Sequence, residues 1–274
     1  AYSSYILNLE SNIKSNPGKF WSHVNNLKNC NGIPSQMSYS NSLLTNPYDI
    51  VNAFAEHFCS NFNLNKGPTA IADAYSEDSF SNNIIGPNIS ESDVLWALKK
   101  IKPNFTSGHD RIPAFLLFDC ASILAFPLMI IFNLIFRTGV FPDVWKLSII
   151  SPIFKSGNRT MIENYRPISL ICNFAKIFET ILHKFISFNT RSLITVSQHG
   201  FVNGRSTTSN LCEFTQFVAD NLDAKRQVDV AYTDFSKAFD KLDHGLLLVK
   251  LRNFGFSSAL FDLISSYLSN RVQV

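Results

Sequence analysis

Val228-Asp-Val-Ala-Tyr-Thr-Asp234-Phe-Ser-Lys-Ala-Phe-Asp240-Lys-Leu-Asp-His244 is the stretch on which the reading of this chain turns. As far as Thr233 it alternates, with Val228, Val230 and Tyr232 on one face and Asp229, Ala231 and Thr233 on the other, the period of a half-buried strand. Beyond Asp234 the period lengthens. Ser236 stands where a helix cap belongs, and Ala238, Phe239 and Leu242 follow on one face of a short helix. This places Asp234 at a strand-to-helix break, where one carboxylate can be presented to a divalent cation. An acid in such a position usually just caps the next turn, so its meaning depends on its neighbours.

The 274 residues are 46% hydrophobic and include 25 Phe, enough for a packed globular core. Net charge is only +3, but the residues immediately upstream of the quoted stretch are basic. Positions 146–205 carry Lys146, Lys155, Arg159, Arg166, Lys176, Lys184, Arg191 and Arg205 against Glu163 and Glu179 alone. Such a run is either a solvated face or a phosphate-handling surface, and charge does not separate the two. The five cysteines, Cys30, Cys59, Cys120, Cys172 and Cys212, are odd in number and widely spaced. That pattern speaks against a disulfide framework or a zinc site and fits a reducing, intracellular setting. The apolar run 121–136 is shorter than the ~20 residues of a membrane span and is broken by Pro127 and Asn133, so it reads as a buried helix and no membrane partner is expected.

In chain order, residues 5–27 show two helical periods separated by Asn16-Pro17-Gly18, with Phe20 and Trp21 read as core. Asn46 caps a helix that starts at Pro47 and carries Ile50, Val51, Phe54 and Phe58 on one face. Residues 61–88 lose periodicity and read as a linker. Ser90 with Asp93 forms a capping box for a helix that stops before Pro103. Residues 106–113 make a polar turn containing His109, and Gly139 and Pro142 mark the end of the long apolar helix. Residues 147–154 and 164–170 read as the two arms of a hairpin carrying Lys155 and Arg166, which spacing alone leaves as exposed charges. Residues 174–188 are an amphipathic helix. Ser206 caps another whose apolar face is Leu211, Phe214, Phe217, Val218 and Leu222, and two more helices follow residue 245. Asp240, Asp243 and His244 read as structural, and Lys250, Arg252 and Arg271 as solvated.

Several of these stretches resemble one family in its own order. The Asp-Phe-Ser-Lys-Ala-Phe-Asp segment with its Asp-His is similar to the first catalytic motif of reverse transcriptases, particularly those of non-LTR (LINE-type, jockey-like) retrotransposons. Thr-Ser-Gly-His-Asp-Arg-Ile-Pro at 106–113 resembles the family's Ser-Pro-Gly-x-Asp-Gly-Ile-Pro, with His109 and Arg111 where Pro and Gly are commoner. Pro-Ile-Phe-Lys-Ser-Gly at 152–157, Asn-Tyr-Arg-Pro-Ile-Ser-Leu at 164–170 and Gln-His-Gly-Phe-Val-Asn-Gly-Arg-Ser-Thr at 198–207 resemble its fingers motifs. The likeness runs over about residues 90–274.

The resemblance implies an α+β, helix-rich right-hand polymerase, with fingers and a partial palm at 89–274 and a helical N-terminal connector at 1–88. It implies RNA-directed DNA synthesis from an RNA template, a DNA primer and dNTPs with two Mg2+ ions. Asp234 is then the catalytic metal ligand, joined by the Phe235 carbonyl. Lys155 and Arg166 bind the incoming nucleotide, Phe239 lies beneath its sugar, and Gln198, Gly200 and Arg205 meet nucleic acid. The family's second motif, Tyr/Phe-Ala-Asp-Asp, has no counterpart, since no Asp-Asp occurs in the sequence. The chain is therefore expected to be truncated after the first motif and unable to polymerise alone. Two other readings stay open: a nucleic-acid-binding module without chemistry, and a helical interaction protein.

Overall fold

The fold is taken from a computed structural model, which describes residues 10–11, 16–18, 20–21, 32–62 and 84–274. Most of the residues of the helices expected in 5–27 and most of the linker at 61–88 lie outside the described residues; Trp21, read as core, is 59% exposed. The chain divides into two compact units, Ala1–Cys59 with Pro152–Pro167, and Ser60–Ser151 with Ile168–Val274.

In the first unit, β1 (Met37–Tyr39) and β2 (Ser42–Leu44) form an antiparallel hairpin in the register Met37↔Leu44. Its turn places Ser40 and Asn41 at φ 48° and 66°, the left-handed pair that a two-residue hairpin demands. The Asn46 side chain accepts the Tyr48 amide (3.0 Å) and starts α1 (Pro47–Cys59). Ile50, Ala53, Phe54 and Phe58 are its buried residues, and Phe54 meets the Tyr165 ring edge-on at 5.2 Å. Val51, placed on the same face by the sequence reading, is instead 66% exposed, because it falls on the flank of that stripe.

The second unit is organised by α4 (Ala121–Thr138). Around it pack α2 (Glu91–Lys100), α3 (Ala114–Asp119), α5 (Asn173–Asn189) and α8 (Ser258–Leu268), with α7 (His244–Asn253) against α8. Phe132, Phe141 and Phe178 are its largest fully buried side chains. Helix α4 runs through Pro127, and Asn133 makes itself useful there. Its amide group accepts from the Ile89 amide (2.9 Å) and donates to the Ile89 carbonyl (2.8 Å), clamping the chain ahead of α2. Gly139 ends the helix at φ 66°, and a Cβ there would lie 2.9 Å from that of Asp262, so α8 approaches closely only over glycine. The helix is long and apolar enough to cross a membrane by length and composition. It is not wholly buried as the sequence implied: Ala121, Ala125, Leu128, Phe132, Ile135 and Phe136 face the core, whereas Ile123, Phe126, Ile130 and Leu134 are exposed.

Strands β3 (Leu147–Phe154) and β4 (Tyr165–Leu170) form the expected hairpin within a sheet of order β4-β3-β5. The third strand, β5 (Val272–Gln273), lies parallel to β3 in the register Leu147↔Val272 and was not foreshadowed by any local pattern. Arg271, just ahead of it, is not simply solvated: its guanidinium lies over the Tyr267 ring at 4.7 Å and donates to the Tyr267 carbonyl.

The stretch quoted at the outset departs from expectation. Residues 226–235 form no regular element and pair with no strand among the described residues, and Val230 and Tyr232 are exposed. A strand is defined by its partners, and none lies beside this one. The short helix expected after Ser236 is a single turn over residues 236–241, closed by the Lys241 amide donating to the Lys237 carbonyl (3.0 Å). Likewise α6 (Thr207–Asp223) forms as expected, yet its intended core face lies open, with Leu211, Phe217 and Leu222 about 60% exposed.

Candidate functional site

Lys155 and Arg166 sit on the two arms of one hairpin in the first unit. The Lys155 amide donates to the Asn164 carbonyl (2.8 Å), two residues ahead of Arg166. The loop between them is tied internally: Gly157 takes φ 88° where a Cβ would press on Asn164, and the Asn164 side chain donates to the Asn158 carbonyl (2.9 Å). Arg159 is consumed in this closure, its guanidinium over the Phe154 ring at 4.7 Å and its carbonyl accepting the Tyr165 hydroxyl. Lys155 and Arg166 are exposed, and neither forms an ion pair among the described residues. The hairpin thus presents two cations without a built-in counter-ion.

In the second unit, residues 106–113 are held from behind. Asn173, fully buried at the start of α5, donates to the carbonyls of Thr106 (2.9 Å) and Ile112 (2.8 Å). Gly108 lies so close to Cys172 that a Cβ would fall 2.5 Å from its amide nitrogen. Arg111, at the position where the resembling motif more often has Gly, keeps the left-handed backbone at φ 57°. Burial pushes the Cys172 thiol up, which keeps it protonated and inert.

The loop at 196–206 is braced rather than open. Arg205 turns inward, its Nη1 donating to the carbonyls of Val196 and Gln198. Its remaining guanidinium donors stay available for phosphate. Gln198 closes the next turn by donating to the Gly200 carbonyl (3.0 Å), and Gly204 takes φ 80°. Ser206 and Ser209 form a capping box at the start of α6. His199, unremarked in the sequence because it occupies a variable position of the motif, is the pin of this loop. Its Nδ1 meets the Ser209 hydroxyl (2.9 Å) and its Nε2 the Glu213 carboxylate (2.7 Å). Only its spacing to the first two turns of a capped helix could have exposed that role.

Asp234 is exposed, with Phe235 beside it 86% exposed and Phe239 79% exposed. The structure brings Phe239 to the glycine loop, where it meets the ring of Phe201 edge-on at 6.2 Å. Phe201 is 96% exposed and holds φ 61°. Asp243 is the N-cap of α7, accepting the Leu246 amide (2.9 Å), in keeping with a structural role. Among the described residues no three His, Cys, Asp or Glu side chains stand close enough to hold a metal ion. Magnesium requires a near-octahedral set of oxygens, which Asp234 and the Phe235 carbonyl do not complete, so the described donors by themselves do not fit a two-ion centre.

Residues 153–274, from the end of β3 through the glycine loop to β5, match the family described as reverse transcriptase (RNA-dependent DNA polymerase). The matched family is one that generally works with divalent metal ions. Among its curated relatives, the chain is 28% identical over 193 residues to a probable RNA-directed DNA polymerase from transposon BS of Drosophila melanogaster. It is 32% identical over 178 residues to that of the X-element of the same organism, and 30% identical over 192 residues to the polymerase of the mobile element jockey of Drosophila funebris. Over the aligned residues the chain is thus similar to the RNA-directed DNA polymerases of jockey-like, non-LTR elements. These alignments cover 67%, 61% and 67% of this chain but only 20%, 19% and 20% of the respective relatives, so the chain spans about a fifth of their length.

Proposed function

We propose that this chain supplies the fingers and the first metal-binding carboxylate of an RNA-directed DNA polymerase of a non-LTR retrotransposon. The observation that carries the reading is the Asp-Phe-Ser-Lys-Ala-Phe-Asp segment lying, in family order, behind the hairpin and glycine-loop motifs inside the matched residues 153–274. Residues 89–274 are then the polymerase part and residues 1–88 a connector. RNA template, DNA primer and dNTPs are the substrates. A retroelement polymerase works in the nucleus or cytoplasm, and the odd number and wide spacing of the cysteines suit such a reducing setting.

Within this reading Lys155 and Arg166 hold the triphosphate, as two uncompensated cations on one braced hairpin would. The glycine loop lies along the template, Phe239 excludes a 2′ hydroxyl, and Asp234 with the Phe235 carbonyl contributes oxygens to the two magnesium ions. Because the described donors do not complete that metal centre, the 274 residues alone are expected to bind RNA without extending a primer.

A chimera tests the assignment. The corresponding segment of the Drosophila funebris jockey polymerase is replaced by residues 89–274, and primer extension on an RNA template is measured. Extension is expected, and Asp234→Asn should abolish it. Equal extension by the Asp234→Asn chimera would remove Asp234 from the chemistry. It would favour the second reading, nucleic-acid binding without catalysis, for which the incomplete carboxylate set speaks.

A further inference from the structure

Helix α4 is apolar on two opposite faces. Between Ala121 and Phe136 it carries no charged side chain. One face fills the core, and on the other Ile123, Phe126, Ile130, Ile131 and Leu134 are exposed. Single exposed apolar residues are ordinary. Five at helical spacing on one face are not: they present roughly 500 Å2 of apolar surface, the upper end of what a monomer leaves open. A helix apolar all round is one that is covered all round.

The open face has relief. Phe126, Ile130, Asn133 and Arg137 follow one another at helical intervals of four and three, and so form a single row. Beside the row lies a cavity of about 530 Å3, walled in part by Ile85, Met129, Ile130, Phe136 and Arg137 and by no carboxylate. A phenyl ring needs only about 150 Å3 of such space. Asn133 makes no demand on a visitor, because its oxygen accepts the Ile89 amide and its amide group donates to the carbonyls of Ile89 and Met129. Arg137 forms no ion pair among the described residues.

A face without charge along its length offers nothing for a nucleic acid or an acidic peptide to recognise, and is complementary to a face like itself. The length and composition of α4 would also suit a bilayer, but its opposite side is committed to the core. Two copies closed face to face bury roughly 1,000 Å2, the size at which a specific interface begins. Arg137 decides the direction. Parallel helices would set the two Arg137 guanidiniums at one level, whereas antiparallel helices crossing at Ile130 hold them about 20 Å apart along the axis. Antiparallel dipoles also attract. Phe126 of one copy then comes over the cavity of the other, and Ile123 beside the other's Arg137, whose aliphatic stem can cover it. The two-fold axis makes each of these contacts twice.

We infer that the exposed face of α4 is a homodimer interface, in which two copies of the chain pack α4 against α4, antiparallel about a two-fold axis at Ile130. This interface stands whether or not the polymerase reading holds.

Sedimentation equilibrium of the full 274-residue chain tests it, at concentrations up to about 100 μM. A dimer is expected. Ile130→Glu sets two carboxylates against each other at the axis and should weaken the dimer at least about thirtyfold, the loss of a central hot spot. Its far-ultraviolet circular dichroism should be unchanged, because Ile130 lies outside the core. Ile123→Glu places a carboxylate beside the second copy's Arg137 and Ile123→Lys a like charge, so the glutamate variant should dimerise roughly fivefold more tightly than the lysine one. A chain monomeric throughout, or a dimer that survives Ile130→Glu, would overturn the interface. Equal dimerisation by the two Ile123 variants would overturn the antiparallel register. A monomer that binds phosphatidylcholine vesicles, and loses them on Ile130→Glu, would replace the second copy by a lipid surface.

Discussion

Helices α5 and α6 are both 17 residues long, both amphipathic and both adjoin motifs of the same family, yet their fates differ. Helix α5 buries Asn173, Ala175, Ile177, Phe178, Ile181 and Leu182, and the ring of Phe178 touches those of Phe132, Phe136, Phe141 and Trp145. Helix α6 has no buried residue, and the stretch that follows it lies similarly open. The difference teaches that an apolar period marks a face able to be buried, while burial itself needs a surface to receive it. Around α5 that surface is assembled from α2, α4 and α8. Around α6 and Asp234 the ring contacts are edge-on, Phe201 with Phe239 and Phe214 with Tyr232, and the others named are polar, His199 with Ser209 and Glu213 and Lys237 donating to Asn61.

The contrast is most easily broken by paired truncations. Phe178→Ala should lower unfolding free energy by about 3–5 kcal/mol, whereas Phe217→Ala on α6 should change it by less than about 0.5 kcal/mol. Denaturant titration of the two variants decides; a comparable loss in both would mean that α6 is packed. A smaller but similarly opposed pair uses glycines. Gly108→Ala drives a methyl into the Cys172 backbone and should cost about 1–3 kcal/mol. Gly204→Ala meets open space and should cost only about 1 kcal/mol, the penalty of its positive φ.

The packed region also holds a carboxyl group at some expense. Burial pushes the Glu179 carboxyl above its ordinary 4.5, and burial beside Glu179 pushes the Tyr267 hydroxyl up to about 12. A carboxylate raised on folding destabilises the native state wherever it must ionise and has no such effect below its unfolded value. Glu179→Gln should therefore raise the melting temperature at neutral pH, and the gain should fade as the pH drops toward 4.5. A gain independent of pH would show that ionisation is not its cause.

A modest effect is expected at the start of α2. Ser90→Ala removes the cap and should cost about 1 kcal/mol. The Ser90 hydroxyl is the main cause holding the Asp93 carboxyl below its ordinary 3.8, with Lys184 adding to it, so the capping box stabilises above that pH and the contribution is lost as the pH falls through the lowered value. Thermal melts from neutral to strongly acid pH should show the Ser90→Ala difference narrowing only at the acid end.

Much of the architecture was readable from residue patterns because it is local. The Ser90–Asp93 box, the Asn46 cap, the stop at Gly139 and the Lys155–Arg166 hairpin each lie within a few residues, and each appears as read. Of the candidate site, the motif residues could be named but not their surroundings. Arg205 spends a guanidinium nitrogen on its own loop, and His199 pins that loop to α6. Both depend on where Val196 and Glu213 come to rest after the chain has folded back.

By itself, the sequence determined the helices, the caps, the hairpin and the family to which residues 153–274 belong, because propensity, capping and motif order are written over short spans. Only the tertiary structure decided that α5 is covered and α6 open, that β5 returns to β3, and that the stretch around Asp234 pairs with no strand among the described residues. Those outcomes depend on contacts between residues far apart in the chain, and alternation along one segment carries no record of whether its neighbour is there.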